Sequence, residues 1–289
     1  MLNVLQHLDA AGILLNFATQ TSIAHLPKDK FETVPIPLPP TKVEQDAIAE
    51  ALSDADALIE SLQQLIAKKR QIKQGAMQSL LTGQQRLPGF SGEWKTMRLG
   101  ALGSFTKGSG IRKNEALSGE LHCVRYGEIY TKHNDCVREF YSWISPLVAA
   151  TARRLKQGDL LFAGSGETKE EIGKCVAFVN DTEAYAGGDI VILRVSDADS
   201  MFLGYYLNTA PINTQKASKG QGDAVVHISA AALGAIEIRV PAPDEQTAIA
   251  TVLTDMDTEI AELELRLSKS RQLKQGMMQA LLTGSIRLV

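Results

Sequence analysis

The segment from Glu44 to Leu87 recurs from Glu245 to Leu288 at a constant offset of 201 residues, with no gap and 24 of 44 positions identical. Short-repeat solenoids are built from units of about 20–50 residues, so a period this long describes one large module written twice. Each copy closes on the same long element. The chain of 289 residues has room for about two domains of ordinary size.

The repeated element reads as a helix. Ile48, Leu52, Ala55, Ile59, Leu62 and Ile66 are spaced alternately four and three residues apart, and Ile249, Leu253, Met256, Ile260, Leu263 and Leu267 repeat the pattern. This is the a/d seam of a coiled coil. Thr41-Lys42-Val43-Glu44 has the spacing of a capping box, and Thr82-Gly83 and Thr283-Gly284 supply C-terminal stops. A helix of roughly 38 residues is about 57 Å long, and two amphipathic elements of that length are expected to pack on each other. Beyond Ile66 the apolar stripe shifts phase, to Ile72, Ala76 and Leu80 and to Leu273, Met277 and Leu281. The basic clusters Lys68-Lys69-Arg70-Lys73 and Lys269-Arg271-Lys274 lie at that break, as a charged helix face or as a docking surface. Gly75 and Gly276 share one interior position. Glycine there costs roughly 1 kcal/mol against alanine, which predicts a close helix–helix crossing.

Between the two helices the texture changes. Gly-rich turns (GALGSFTKGSG, AGSGETK, AYAGGD, SKGQGD) separate runs of strand character, LHCVRYGEIY, DLLFAG, KCVAFV, DIVILRV and AIEIRV, and MFLGYYLNTAPI reads as a helix. The end of this region also repeats, since His25-Leu26 to Pro39-Pro40 aligns at offset 202 with His227-Ile228 to Pro241-Ala242. The prolines of VPIPLPP mark an edge strand or an extended linker. The fold class is therefore α+β, a globular mixed domain with two long helices. Residues 1–40 are the remnant of a first globular domain, 41–87 the first long helix, 88–241 a complete globular domain and 242–289 the second long helix.

Hydrophobic content of 44% and charged content of 22% place the chain among globular proteins. The formal net charge of −3 excludes a uniformly basic coat but leaves room for a local basic face. Three cysteines without CxxC spacing fit a reducing cytoplasm. The opening MLNVLQHLDAAGILLNF lacks a basic leader and reads as an amphipathic helix. No apolar run approaches the ~20 residues of a membrane span.

Motifs that carry chemistry are scarce. Phe162-Ala163-Gly164-Ser165-Gly166 matches the FxGxG loop of S-adenosylmethionine methyltransferases, but neither an acidic strand end nor a [DN]PP[YFW] motif accompanies it, and a Gly-rich turn after a strand is the better reading. GSFTKGSG and GSGETKEEIGK lack the P-loop spacing. His122, Cys123, His133 and Cys136 fit no zinc pattern, and neighbours on a strand point to opposite faces. The residues point to no catalytic centre, no cofactor and no metal. They do place basic and amide groups on glycine-rich loops: Lys107, Ser109, Arg112 and Lys113 in TKGSGIRK, Arg125 in the next strand, Lys132 in the following turn, Ser165 and Lys169 in GSGETK, and Lys216, Lys219 and Gln221 in QKASKGQGD. Lysine and arginine neutralise phosphates, and arginine and glutamine read base edges in the major groove.

A Pro-rich strand end runs into P-x-x-E-Q-x-x-I-A at Pro40–Ala49, with one or two extra residues, and at Pro243–Ala250. The helix that follows ends in K-Q-G-x-M-Q-x-L-L-T-G at Lys73–Gly83 and Lys274–Gly284. With Trp94, the Leu99–Gly110 opening and the Gly158–Phe162 turn, the chain closely resembles the specificity subunit of type I restriction-modification enzymes over essentially its whole length. The resemblance implies target recognition domains that each read one half of an interrupted site in double-stranded DNA. It also implies an antiparallel coiled-coil spacer that sets the distance between half-sites, and methyltransferase subunits docked around it. The subunit itself is non-catalytic, a restriction/translocase subunit is a further partner, and the setting is cytoplasmic. Here only residues 88–241 form a whole recognition domain, so the resemblance points to a truncated gene product or a fragment. It reads one half-site, or forms a homodimer with two identical recognition domains. The alternative is a coiled-coil scaffold or decoy that assembles with methyltransferase subunits and reads no site.

Overall fold

The computed structural model describes residues 2–19, 24–116, 119–222 and 224–288, the side chains of Leu2 and Lys113 excepted. In chain order its elements are α1 (Leu2–Ala10), α2 (Lys28–Phe31), α3 (Lys42–Leu80), β1 (Lys95–Arg98), β2 (Gly103–Lys107), β3 (Leu121–Val124), α4 (Tyr126–Thr131), β4 (Cys136–Val137), β5 (Ser142–Ile144) and α5 (Pro146–Ala149). Then follow β6 (Arg153–Arg154), β7 (Asp159–Ala163), β8 (Ser165–Gly166), β9 (Cys175–Phe178), β10 (Ala184–Ala186), β11 (Ile190–Val195), α6 (Ser200–Tyr206), α7 (Ala210–Lys219), β12 (Val226–His227), α8 (Ala230–Gly234), β13 (Glu237–Val240) and α9 (Pro243–Leu282). Two compact units emerge, Met1–Ile72 with Met256–Val289, and Lys73–Asp255. No helix among the described residues is long and apolar enough to cross a membrane.

The helices α3 and α9 have 39 and 40 residues, and the first unit is built on α3 as far as Ile72 and α9 from Met256. They run antiparallel, because ion-pair partners fall along α9 as they rise along α3. Glu44 takes Arg287, Asp56 takes Lys274 at 2.6 Å, and Arg70 reaches Glu264 at 2.5 Å. Ile48, Leu52, Leu62, Ile66 and Ile260 are buried, and Ile59, Leu263 and Leu267 are half-buried. Ile48 and Leu52 do not meet α9 alone. They join Val4, Leu8, Val34, Leu281 and Leu282 in one cluster, so the chain before α3 packs on this end of the helices.

The expected phase shift beyond Ile66 is corrected. Ile72 and Leu273 are 47% and 64% exposed, and the covered line continues at unbroken spacing through Lys69, Lys73 and Ala76 to Leu80. In α9 it runs through Ser270, Lys274 and Met277 to Leu281. A lysine can occupy such a position by laying its stem along the seam and extending its ammonium outward. Lys69 reaches Glu259 at 2.6 Å and Lys274 reaches Asp56. The predicted close crossing at Gly75 and Gly276 is corrected as well, since a methyl group added at either would meet nothing within 4 Å. The C-terminal stops are as expected, with Gly83 and Gly284 at φ of 71° and 73°.

In the second unit a five-stranded sheet, β2-β11-β7-β9-β4, faces a four-stranded one, β5-β3-β10-β6. The central strands β7 and β9 are buried along their whole length, as the continuous apolar runs LLFA and CVAF require. Leu161, Ala163, Val176, Phe178, Ile190 and Ile192 of the larger sheet meet Val124, Ala184 and Ala186 of the smaller in one core. On the other face of the smaller sheet Cys123 packs with Ala116, Ile144 and Ala149, while His122 stacks on Phe140 at 4.3 Å. LHCVRYGEIY is not one strand. It breaks after Val124 because Glu128 accepts a hydrogen bond from the Arg125 N–H at 3.0 Å and starts α4. The three cysteines are buried free thiols, and burial pushes Cys123 and Cys175 up to about 12.

Within this unit an ion pair closes the turn that follows α3. Arg86 donates to both carboxylate oxygens of Glu245 at 2.5 Å. Trp94 lies against the backbone of Gly83 and under the Arg86 guanidinium, 5.8 Å from the ring centre. The same exchange joins Arg287 to Glu44 in the first unit. Both glutamates are buried, at 1% and 2% exposure. Sequence reading placed Glu44 in a capping box. Thr41 does accept a hydrogen bond from the Glu44 N–H at 3.3 Å, but the Glu44 carboxylate serves Arg287. The adjoining Gln45 and Gln246 donate to the carbonyls of Pro39 and Pro241, at 2.9 Å in each case.

Candidate nucleic-acid interface

Several of the predicted loops converge in the second unit. β2 ends at Lys107 and its neighbour β11 begins at Ile190, so the turns at those ends lie side by side. Asp189, held at φ 60°, accepts the Gly164 N–H at 2.7 Å and lies 3.7 Å from the Lys107 ammonium. The β7–β8 turn is therefore drawn to the same place. The antiparallel pairing of β8 with β12 then brings in the loop after α7, where Gln221 and His227 exchange backbone hydrogen bonds at 2.9 and 2.7 Å. A cavity of about 290 Å³ opens between these loops and is lined by Lys107, Asp189, Lys219, Gln221, His227 and Ser229, among others. Lys107 and Gln221 are exposed and Lys219 half-buried. Lys107 thus shares one mouth with Lys219 and Gln221, more than a hundred positions further along the chain.

Ser109 sits beside it, its hydroxyl donating to Thr151 O at 3.1 Å. That contact brings in Arg153 of β6, whose Nε donates to the Lys107 carbonyl at 3.4 Å and whose side chain is exposed. Arg153 was not among the residues read from sequence. Its only signal was the Arg153-Arg154 pair in TARRLKQGD, which lacks the flanking glycines of the other loops.

Other predicted residues fall elsewhere. Arg112 is exposed and caps a short turn through its N–H to Glu115 at 2.9 Å, and the side chain of Lys113 lies outside the described residues. Arg125 is half-buried at the start of α4, and Lys132, at its end, lies over the Tyr141 ring at 5.3 Å. Lys169 is exposed, but Glu167, Glu170 and Glu171 surround it in sequence and are exposed too, so this loop is net acidic. Glu170 and Glu171 line a separate cavity with Asp135 and Lys174.

Two residues must be withdrawn from the contact set. Lys216 is 1% exposed and donates to Gly173 O at 2.8 Å. Burial pushes its pKa down to about 8. It faces the core from α7 because its four-residue spacing from Ile212, about one turn, places both on the inner side. Ser165 is 4% exposed and its hydroxyl is taken by His227 Nδ1 at 2.9 Å, so it orders the loop rather than presenting a free hydroxyl. The FAGSG run proves to be the end of β7 and its turn into β8.

The family model described as the type I restriction modification DNA specificity domain matches residues 4–70 and 91–270. The specificity subunit of the type I restriction enzyme MjaVIII of Methanocaldococcus jannaschii is 26% identical over 285 residues, covering 93% of this chain. The chain spans 66% of that relative's length. Among solved structures, the S subunit of the type I restriction-modification system of M. genitalium superposes with a TM-score of 0.64 at 16% identity, covering 96% of this chain and 71% of that one. A chain from a structure on complex assembly and conformational transition of the type I R-M system gives 0.53 at 18% identity, covering 96% and 67%. The two structural likenesses are of fold.

Proposed function

The chain belongs to the type I restriction modification DNA specificity family, and on that premise we propose that it is a non-catalytic specificity subunit that reads one half of a bipartite duplex target. The observation that carries this reading is the convergence of Lys107, Arg153, Lys219 and Gln221, with Ser109, around one loop cluster. Lysines and an arginine there meet phosphates, while the glutamine amide offers a paired donor and acceptor to a base edge. Arg112, Arg125, Lys132 and Lys169 are outlying contacts in this reading. The division of the chain follows the repeat, with residues 88–241 as the recognition domain, α3 and α9 as the spacer, and residues 1–40 as the end of a first recognition domain. Methyltransferase subunits dock on the helices, in the cytoplasm.

Selection from random duplexes with the purified chain and its methyltransferase partner tests this, and the expected result is an enriched motif. Lys107→Ala and Lys219→Ala should weaken binding to every duplex and each lower the log–log salt slope by about 1. Gln221→Ala and Arg112→Ala should each relax a single position. A flat selection from a complex that still captures the methyltransferase would sink the reading in favour of a scaffold.

A further inference from the structure

β13 is held from two sides. On one, Glu237 exchanges both backbone groups with the Gln215 amide at 2.8 and 2.9 Å, and the Arg239 N–H donates to the Tyr206 hydroxyl at 3.0 Å. Backbone groups of successive strand residues point to opposite sides, so Ile238 and Val240 face β1, opposite Met97 and Lys95. Leu99 N–H continues the ladder to Ile236 O at 2.8 Å. Trp94, immediately before β1, carries its indole onto Gly83 and under Arg86.

The 202-residue offset lays Val34-Pro35-Ile36-Pro37-Leu38 on Ile236–Val240. Neighbouring features are repeated in place. Thr19 N–H donates to His25 O at 2.9 Å, as Gln221 does to His227, and α2 stands where α8 stands. The two prolines fall on Glu237 and Arg239, whose amides face away from β1. Ile36 and Leu38 keep their N–H groups at the positions that serve β1, and proline blocks the opposite edge to a second strand. Residues 35–38 lie in no helix or strand, and among the described residues no strand pairs with them; Pro35 and Pro37 hold φ at about −65° and bias the residues before them towards extended backbone. Beside them lies a cavity of about 120 Å³ walled by Pro37–Pro40, Glu44, Leu281–Gly284 and Arg287. A Cβ on Gly284 would meet nothing within 4 Å, whereas one on Gly83 would meet Trp94 at 3.3 Å. The Arg287 side chain is 50% exposed and that of Arg86 25%.

We propose that this end of the first unit is a docking site for an extended strand preceded by a tryptophan, supplied by a partner polypeptide. The strand pairs with Ile36 and Leu38, and its indole lies on Gly284 beneath Arg287. The chemistry required is that of Gly92–Leu99, GEWKTMRL, with backbone pairing for affinity and the indole for specificity. The site does not depend on the reading of DNA by the second unit.

The test adds a synthetic peptide of the sequence Pro88–Gly100 to the full chain and follows amide exchange by NMR. The Ile36 and Leu38 amides should slow about tenfold or more. Alanine in place of the peptide's tryptophan should weaken binding about thirtyfold, and Arg287→Ala in the protein should weaken it too. Because a free peptide pays an ordering cost, a second form carries the same segment ahead of residue 1 on a flexible linker, at roughly millimolar effective concentration. Unchanged exchange at Ile36 and Leu38 in that tethered form would overturn the proposal. So would slowing confined to residues 236–240, or slow exchange at 36 and 38 in a dimer of the chain without peptide, which would make a second copy the occupant.

Discussion

The two copies of the helix motif end in the same clamp in different surroundings. Arg86 and Arg287 each hold the buried glutamate that opens the other helix. At Arg86 the clamp is roofed by Trp94, which also meets the Phe202 ring edge-on at 6.3 Å, and a strand pair follows. At Arg287 the same residues border an open cavity. Ion-pair chemistry is thus local to the motif, whereas its shielding comes from whatever strand arrives next to it. A carboxylate–guanidinium pair is screened by water in proportion to its exposure, so the two ends should differ in strength despite identical residues.

The largest effect should come from the roof itself. Trp94→Ala removes a buried indole and should destabilise the Lys73–Asp255 unit by about 3 kcal/mol or more, read from denaturant unfolding followed by circular dichroism. An unshifted midpoint would show that the roof contributes nothing. Next, Glu245→Gln should lower the unfolding midpoint more than Glu44→Gln does, because Arg86 is the less exposed partner; equal losses would erase the distinction between the two ends.

Titration separates the regions further, since the buried His133 and Lys216 both lie in the Lys73–Asp255 unit. Burial, reinforced by the Lys174 charge, pushes His133 down to about 4. The unfolded chain therefore takes up a proton near pH 6.5 that the folded unit refuses, and stability falls as pH drops from about 6.5 towards 4. Lys216 behaves likewise at high pH. The unfolded lysine stays protonated to about 10.5 while the folded one loses its proton near 8, so stability rises between those values. Thermal melts across pH should show both slopes, and His133→Leu should flatten the acid one alone. The smallest effect should fall on the helices: Gly75→Ala and Gly276→Ala should each stabilise by about 1 kcal/mol, since nothing crowds either site. A loss at either would restore a close approach there.

Much of the fold was legible in the chain. A seam with 4-3 spacing and matched glycine stops predicts two long helices, and their ends lie within a few residues of those stops. The seam was misread past Ile66 because an apolar count ignores lysine. A lysine stem covers a seam as an aliphatic chain does, but only an acceptor on the facing helix, such as Glu259 or Asp56, lets its charge leave. The candidate interface was half legible. Glycine-rich loops with Lys107, Lys219 and Gln221 stood out, while Lys216 looked equivalent until α7 turned it inward, and Arg153 joined through the Ser109–Thr151 contact and its own hydrogen bond to the Lys107 carbonyl.

By itself the sequence determined the module's repetition, the two helices with their seam as far as Ile66, and the Glu-Gln that opens and the Thr-Gly that closes each helix, because these depend on spacing along one chain. The tertiary structure alone decided that each arginine takes the other copy's glutamate, that Lys216 is core, and that Trp94 roofs one clamp. Those outcomes depend on which surfaces meet across separations of up to 243 residues, where neither periodicity nor composition carries a signal.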